Sequence, residues 1–197
     1  MGSRKLFVLI ITTIALVFIA LHAGHAFNVD DVIKLKTTRQ CPGCSLENAI
    51  LAELDLSGAS LSGATMHYAT LFSTKLSNAK LSGALMSYAI LERTDLSGAD
   101  LSGTTLNNAD LAYAYLGKAN MSGANMSGAT LERANLHDAD LRFANLSNAN
   151  LQNANLSNAD LRFANLSNAN LVNATLDGAV WTDGKQCKQF STGECKR

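Results

Sequence analysis

From Leu46 to Leu176 a Leu or Met stands at every fifth position without a break, 27 pentapeptides in all. Two residues before each of them stands Ala in 22 of the 27 cases, with Cys44, Leu54, Thr74, Thr94 and Thr104 as the exceptions. A period of five fits neither the 3.6-residue repeat of an amphipathic helix nor the two-residue alternation of a half-buried strand. It fits a solenoid in which each pentapeptide is one short side of a coil and turns its large and its small apolar residue inward. The other three positions carry mostly Ser, Asn, Asp, Gly, Lys and Arg, and so face outward or form the corner. Gly or Asn two residues after the Leu, as at Gly58, Gly63, Asn78, Asn148 and Asn158, suits turn conformations that β-branched residues resist.

Four sides to a coil would make similar residues recur 20 apart, and they do. Leu141 to Asn150 recurs identically as Leu161 to Asn170, and Met66-His67-Tyr68-Ala69 is echoed by Met86-Ser87-Tyr88-Ala89. Met66, Met86 and Met126 then share one side, with Met121 on a neighbouring one.

The pattern A-(N/D/S/T)-L-x-x over residues 44–178 resembles the pentapeptide-repeat family. That resemblance implies an all-β fold, a right-handed quadrilateral β-helix, with Leu46, Leu51 and their equivalents as the large inward residues and Ala49, Ala59 and theirs as the small ones. At four sides per coil the 27 pentapeptides make about seven coils. With about 4.8 Å between rungs the rod is roughly 32 Å long.

Outside the repeats the chain reads as three further segments. Arg4 and Lys5, an apolar run from Leu6 to Leu21, and Gly24-His25-Ala26 form a secretory signal peptide over residues 1–26, cut after Ala26. The run is shorter than the roughly 20 residues of a spanning helix, so cleavage leaves no stable membrane anchor. Residues 27–43 are an N-terminal cap. In it Asn28 is a capping residue, and Val29, Val32, Ile33 and Lys36 lie at helical spacing to cover the first coil. Residues 179–197 are a C-terminal cap, with Trp181 in the place of a further central Leu as a lid on the last coil. Such lids matter because an open solenoid end exposes apolar core and unpaired backbone.

Four cysteines in an exported chain suggest disulfides, and three pairings are formally open. The rod separates its ends by far more than the roughly 7 Å that bonded Cα atoms allow. That leaves Cys41 with Cys44 and Cys187 with Cys195. The Cys-bounded tail from Trp181 to Cys195 resembles the C-termini of exported bacterial members of the family. This implies a periplasmic setting, or a thylakoid lumen or extracellular one.

The residues capable of chemistry are few and scattered. Cys41-Pro42-Gly43-Cys44 has the spacing of redox and metal motifs but lacks a βαβ context, which favours a structural disulfide over a redox role. No metal site is expected: the rod keeps the two cysteine pairs apart, and His67 and His137 fall on opposite sides. Asp140/Arg142 and Asp160/Arg162 stack in successive coils and read as mutual charge compensation. Asn-x-Ser triplets such as Asn145-Leu146-Ser147 are generated by the repeat itself around a buried Leu, so they are not read as glycosylation sites. Phe143 and Phe163 stack on one corner. Tyr68 and Tyr88 share another, with Phe72 and Ile90 on the adjoining side and Tyr113 further along it near Arg93, which makes these six one candidate partner surface.

Charge adds one exclusion. The mature chain carries 14 basic and 16 acidic residues, and the repeat body 7 and 12, a net −5. The reading is a non-catalytic exported scaffold with no cofactor, whose partner is another protein and not nucleic acid. Whether the rod stands alone or pairs end to end stays open. An alternative is a DNA mimic, because the resemblance extends to acidic rods that bind DNA gyrase. Export, disulfides and weak charge stand against it.

Overall fold

Each pentapeptide folds locally as one tight turn and one bridging residue. Ala49 N–H donates to Leu46 C=O at 3.0 Å across Glu47-Asn48, and Asn48 takes φ +59°, the positive value that the third residue of a type II turn requires. Every corner residue from Gly43 to Gly178 adopts the same left-handed conformation. Glycine enters it freely and Asn tolerates it, while other residues give up about 1–2 kcal/mol. The residue before each Leu sets the turn: Asn145 Oδ1 accepts Ser147 N–H at 3.1 Å and Asp100 Oδ1 accepts Ser102 N–H at 3.1 Å. This local bond favours Asn and Asp there.

Coils then pair in register. Thr65 N–H donates to Cys44 C=O at 2.9 Å, and Leu46 N–H donates to Thr65 C=O at 2.7 Å. The same exchange, residue i with i+20 and parallel, runs from Gln40/Ser60 to Asp160/Val180. The result is a four-sided β-helix in this computed structural model, which describes residues 27–197. The segment read as a signal peptide lies outside the described residues. Side 1 carries the central column Leu61, Leu81 and onward to Leu161, side 2 begins at Leu46, side 3 at Leu51 and side 4 at Leu56.

The core follows from the repeat. Every central residue from Leu46 to Leu161 is at most 2% exposed, and the Ala columns are as deeply buried. Where Thr replaces Ala, its hydroxyl finds a carbonyl: Thr74 donates to Leu51 C=O at 2.8 Å, Thr94 to Leu71 C=O at 2.6 Å, and Thr104 to Leu101 C=O at 2.8 Å. No buried side-chain N or O among the described residues is left unpaired, as a well-specified core demands. Toward the C-terminal end the outer columns become Asn ladders. Asn145 Nδ2 donates to Asn125 Oδ1, Asn165 Nδ2 to Asn145 Oδ1, and Asn170 Nδ2 to Asn150 Oδ1.

Helix α1, Val29–Thr38, closes the first coil. Asn28 Oδ1 accepts Asp30 N–H at 3.0 Å, and Asp31 accepts Ser45 N–H at 2.8 Å, tying helix to rod. The helix presents half of the expected face, with Val29 and Val32 packed against the core. Val32 and Leu35 are buried with Phe27 beside them, whereas Ile33 is 46% exposed and Lys36 also faces solvent. The apolar pair three residues apart, Val32 and Leu35, fixes the buried stripe, and Ile33 turns out of it. No helix among the described residues is long and apolar enough to cross a membrane.

At the other end the chain reverses, and residues 185–187 pair antiparallel with side 1 through Val180/Gln186, then Thr192 pairs with Thr175 on side 4. Trp181 packs against the core only partly buried. The expected lid therefore covers two sides of the last coil, because the tail turns back after Trp181 and follows only the sides it has just left. Cys41–Cys44 and Cys187–Cys195 are bonded, with Cα atoms 5.3 and 5.0 Å apart.

Candidate functional site

The corner between sides 2 and 3 carries two bulky residues among the Asn and Gly that its turns prefer. Tyr68 and Tyr88 stand there in the left-handed conformation, φ +58° and +59°, where a bulky side chain is uncommon. Their rings stack at 5.2 Å with 7° between planes, and they remain 53% and 47% exposed. Stacking of this kind adds about 0.5–1.5 kcal/mol beyond burial, enough to offset part of the backbone cost. Side 3 continues the apolar surface with exposed Ile50 and Ile90 and half-buried Phe72, and side 2 adds exposed Leu85.

The next corner is cationic and aromatic. Tyr113 lies between Arg93 and Arg133, whose guanidinium carbons stand 5.7 and 5.6 Å from its ring centre. Arg133 also donates to Tyr113 Oη at 3.3 Å. Glu92 and Glu132 approach the two arginines at 3.6 and 3.9 Å, too loosely to fix them. Tyr115 is exposed beyond them on side 4. The structure thus places Tyr68, Phe72, Tyr88, Ile90, Arg93 and Tyr113 on neighbouring positions of one band. Ile50, Leu85, Tyr115 and Arg133 belong to it too and were missed. Their signal was in the sequence: each is an apolar or cationic side chain at an outward position, and the 20-residue register puts it beside the six.

The 20-residue rungs and the inward Leu and Ala columns decide the relationship. The family described as Pentapeptide repeats matches residues 41–78, 74–112, 106–142 and 144–180. The chain belongs to the pentapeptide-repeat family. Its β-helix is accordingly the right-handed quadrilateral kind. A pentapeptide repeat protein of the cyanobacterium Cyanothece 51142 is 24% identical, covering 77% of this chain and 97% of its own, with a TM-score of 0.51. One from the thylakoid lumen of Arabidopsis thaliana is 30% identical over 57% of this chain and 71% of its own, with a TM-score of 0.41. No curated protein matches in sequence.

Elsewhere on this pentapeptide-repeat rod the one close Arg–Asp cluster is paired within itself among the described residues. Arg142 and Arg162 each clasp the Asp of their own rung, Asp140 and Asp160, at 2.6 Å, and Arg142 also reaches Asp160 at 3.9 Å. These hydrogen bonds hold both carboxyls below the usual carboxylate range. A lowered folded-state pKa contributes stability at pH values above the ordinary carboxylate pKa, about 4, and that contribution is lost as pH falls below it. The stability advantage of the wild type over Asp140→Asn plus Asp160→Asn is therefore expected to hold above about pH 5 and to shrink from about pH 4 downward, measured by thermal melts at each pH. An advantage that grows on acidification would contradict the pairing.

His137 Nε2 meets Asp138 at 3.1 Å, and its Nδ1 lies 3.0 Å from Ser157 C=O. His67 is on side 2 and His137 on side 4. Asp31, Cys41 and Cys44 come together, but the two sulfurs are bonded to each other, which leaves one carboxylate. Cys41 is fully buried and Cys44 nearly so, and a reductant needs access to an exposed sulfur. Phe143 and Phe163 stack at 5.1 Å on the corner between sides 1 and 2, apart from the band. A polar hollow of about 450 Å³ at the C-terminal cap is lined by Asn158, Asp177, Gln186 and Lys188. Its carboxylate is already occupied by Ser191 N–H at 2.9 Å.

Proposed function

We propose that the chain is a non-catalytic, exported interaction scaffold of about seven coils that binds a partner protein through the band from Leu85 and Tyr68/Tyr88 to Tyr115. The observation that carries this reading is the Tyr68/Tyr88 ladder: two large exposed aromatics at corners that Gly and Asn would fill without strain. Strained positions that persist concentrate at functional sites. Exposed aromatics, together with Arg, are the residues that dominate binding energy at interfaces. Two disulfides fit an oxidising compartment such as a periplasm or a thylakoid lumen. Mimicry of DNA is disfavoured by composition. A body with 12 acidic and 7 basic residues, whose band includes Arg93 and Arg133, lacks the dense negative charge that would compete for a nucleic-acid channel.

Tyr68→Ala with Tyr88→Ala is expected to weaken partner binding by about tenfold or more, the loss typical of truncating interface aromatics. The melting temperature should stay nearly unchanged, because no core contact is lost. Titration of the captured partner against both proteins checks this. Unchanged affinity alongside a large fall in stability would mean that the ladder only holds the rungs together.

A further inference from the structure

Side 2 is the uncharged face of the rod. After Glu47 in its first rung it carries no Asp, Glu, Lys or Arg out to Asn168, whereas each of the other three sides carries five or more. Its C-terminal half, from Thr105 onward, presents Asn, Ser and Thr side chains rung after rung, with one Gly. That half shares no residue with the aromatic band.

The hydrogen bonds within this array leave donors over. Asn125 Oδ1 accepts Ser127 N–H and Asn145 Nδ2, both at 3.2 Å. Asn145 Oδ1 accepts Ser147 N–H at 3.1 Å and Asn165 Nδ2 at 3.3 Å. An amide oxygen has two lone pairs and an amide nitrogen two hydrogens, so both oxygens are filled while every Nδ2 of the ladder keeps at least one N–H. The Ser127 and Ser147 hydroxyls and the side-chain amides of Asn108 and Asn148 have no partner among the described residues.

An aromatic pair borders the same face. Phe143 and Phe163 stand on the corner between sides 1 and 2 in the left-handed conformation, φ +59° and +61°, where a bulky side chain is uncommon. At 63% and 68% exposed they gain little burial in return. Their stack, with 13° between planes, leaves each ring one free face. That of Phe163 looks toward the rung of Asp183, which Arg197 holds at 2.9 Å. That of Phe143 looks toward the rung of Gly123, where an added Cβ would meet no atom within 4 Å. The space against the Phe143 ring is therefore open, and the neighbouring Arg142 is held by Asp140 on side 1 at 2.6 Å. A flat ring of a ligand fits there as one more rung of the stack, with Asn125 beside it.

The chemistry of the face selects the ligand. Nucleic acid needs cations against its phosphates, and side 2 has none. A protein interface is built around several apolar anchors, and beyond the two Phe this half turns none outward. A sugar chain uses both features. A sugar ring with equatorial hydroxyls turns C–H bonds to its two faces, and these sit on the electron-rich face of an aromatic ring. Its oxygens accept the free amide N–H groups, and its hydroxyls donate to the serines. An uncharged chain on an uncharged face leaves no ion buried without a partner. The rungs repeat about every 4.8 Å, close to the advance per sugar of an extended β-linked chain, so successive sugars meet successive rungs.

We propose that the C-terminal half of side 2 binds a neutral β-linked polysaccharide, one sugar of which stacks on Phe143 over Gly123. Cellohexaose and N-acetylchitohexaose are titrated calorimetrically into the purified mature chain, with maltohexaose as the α-linked and polygalacturonate as the charged comparison. The expected result is saturable binding of at least one β-linked oligosaccharide and of neither comparison. Phe143→Ala should weaken it about fivefold or more through the lost stacking. Gly123→Asn fills the space against the ring with a residue that the corner accepts, so it should weaken binding as much while the melting temperature stays nearly unchanged. Tyr88→Ala, on the band, should leave this affinity as it is. The proposal is overturned if neither β-linked oligosaccharide binds, or if their affinity survives both Phe143→Ala and Gly123→Asn. Equal binding of maltohexaose or polygalacturonate overturns it too.

Discussion

Leu111→Ala is expected to lower the unfolding free energy by about 2–5 kcal/mol, the range for deleting a buried Leu side chain. Leu111 is fully buried in the middle of side 3, and its own rung is held from both neighbours: its N–H donates to Thr130 C=O, while Ala89 C=O accepts Asp110 N–H. A square lumen with one large and one small residue per side has no loop that can move in to fill the void, so most of the cavity stays. Total stability of a domain is of the order of 5–15 kcal/mol, and one such cavity consumes a large share of it. The same change at Leu171, partly exposed on the open last coil, should cost much less. Chemical denaturation of both variants checks the contrast. Equal losses would mean that the last coil is as closed as the middle.

Gly123→Val should cost about 1–2 kcal/mol or more from the backbone alone. Gly123 has φ +66°, and a Cβ added there meets no atom within 4 Å. The Cβ itself is therefore unhindered, and the expected loss is conformational, worst for a β-branched side chain. Gly123→Asn at the same corner should be nearly neutral, since Asn occupies this conformation at Asn48, Asn108 and Asn148. Thermal melts of the pair separate the two causes. Similar losses for Val and Asn would show that something other than the left-handed turn decides this position.

The same corner logic explains what sequence reading could and could not reach. The Leu and Ala columns were legible because a five-residue period over 27 repeats admits one geometry, and the 20-residue echo counted its sides. The Tyr68/Tyr88 corner was legible for the same reason. Arg133 was not read as part of the band, because its role depends on Tyr113 lying one rung away, between it and Arg93. Helix α1 was located and Val29 and Val32 pack as expected, but Leu35 takes the place given to Ile33, since spacing alone allows either to turn inward and only the docking through Asp31 and Ser45 decides. The half-open C-terminal coil was invisible. Nothing in the tail sequence says that the chain reverses after Trp181 and retraces sides 1 and 4.

The central claim, that partners engage the aromatic band, is tested most directly by site-specific photocrosslinking in the native cell. A photoreactive residue replaces Tyr88 in one protein and Ser102, on side 1, in another, both outward positions on the same rod. The account predicts a discrete protein adduct from position 88 and none from position 102. Adducts from position 102 alone, or the same adducts from both, would contradict it.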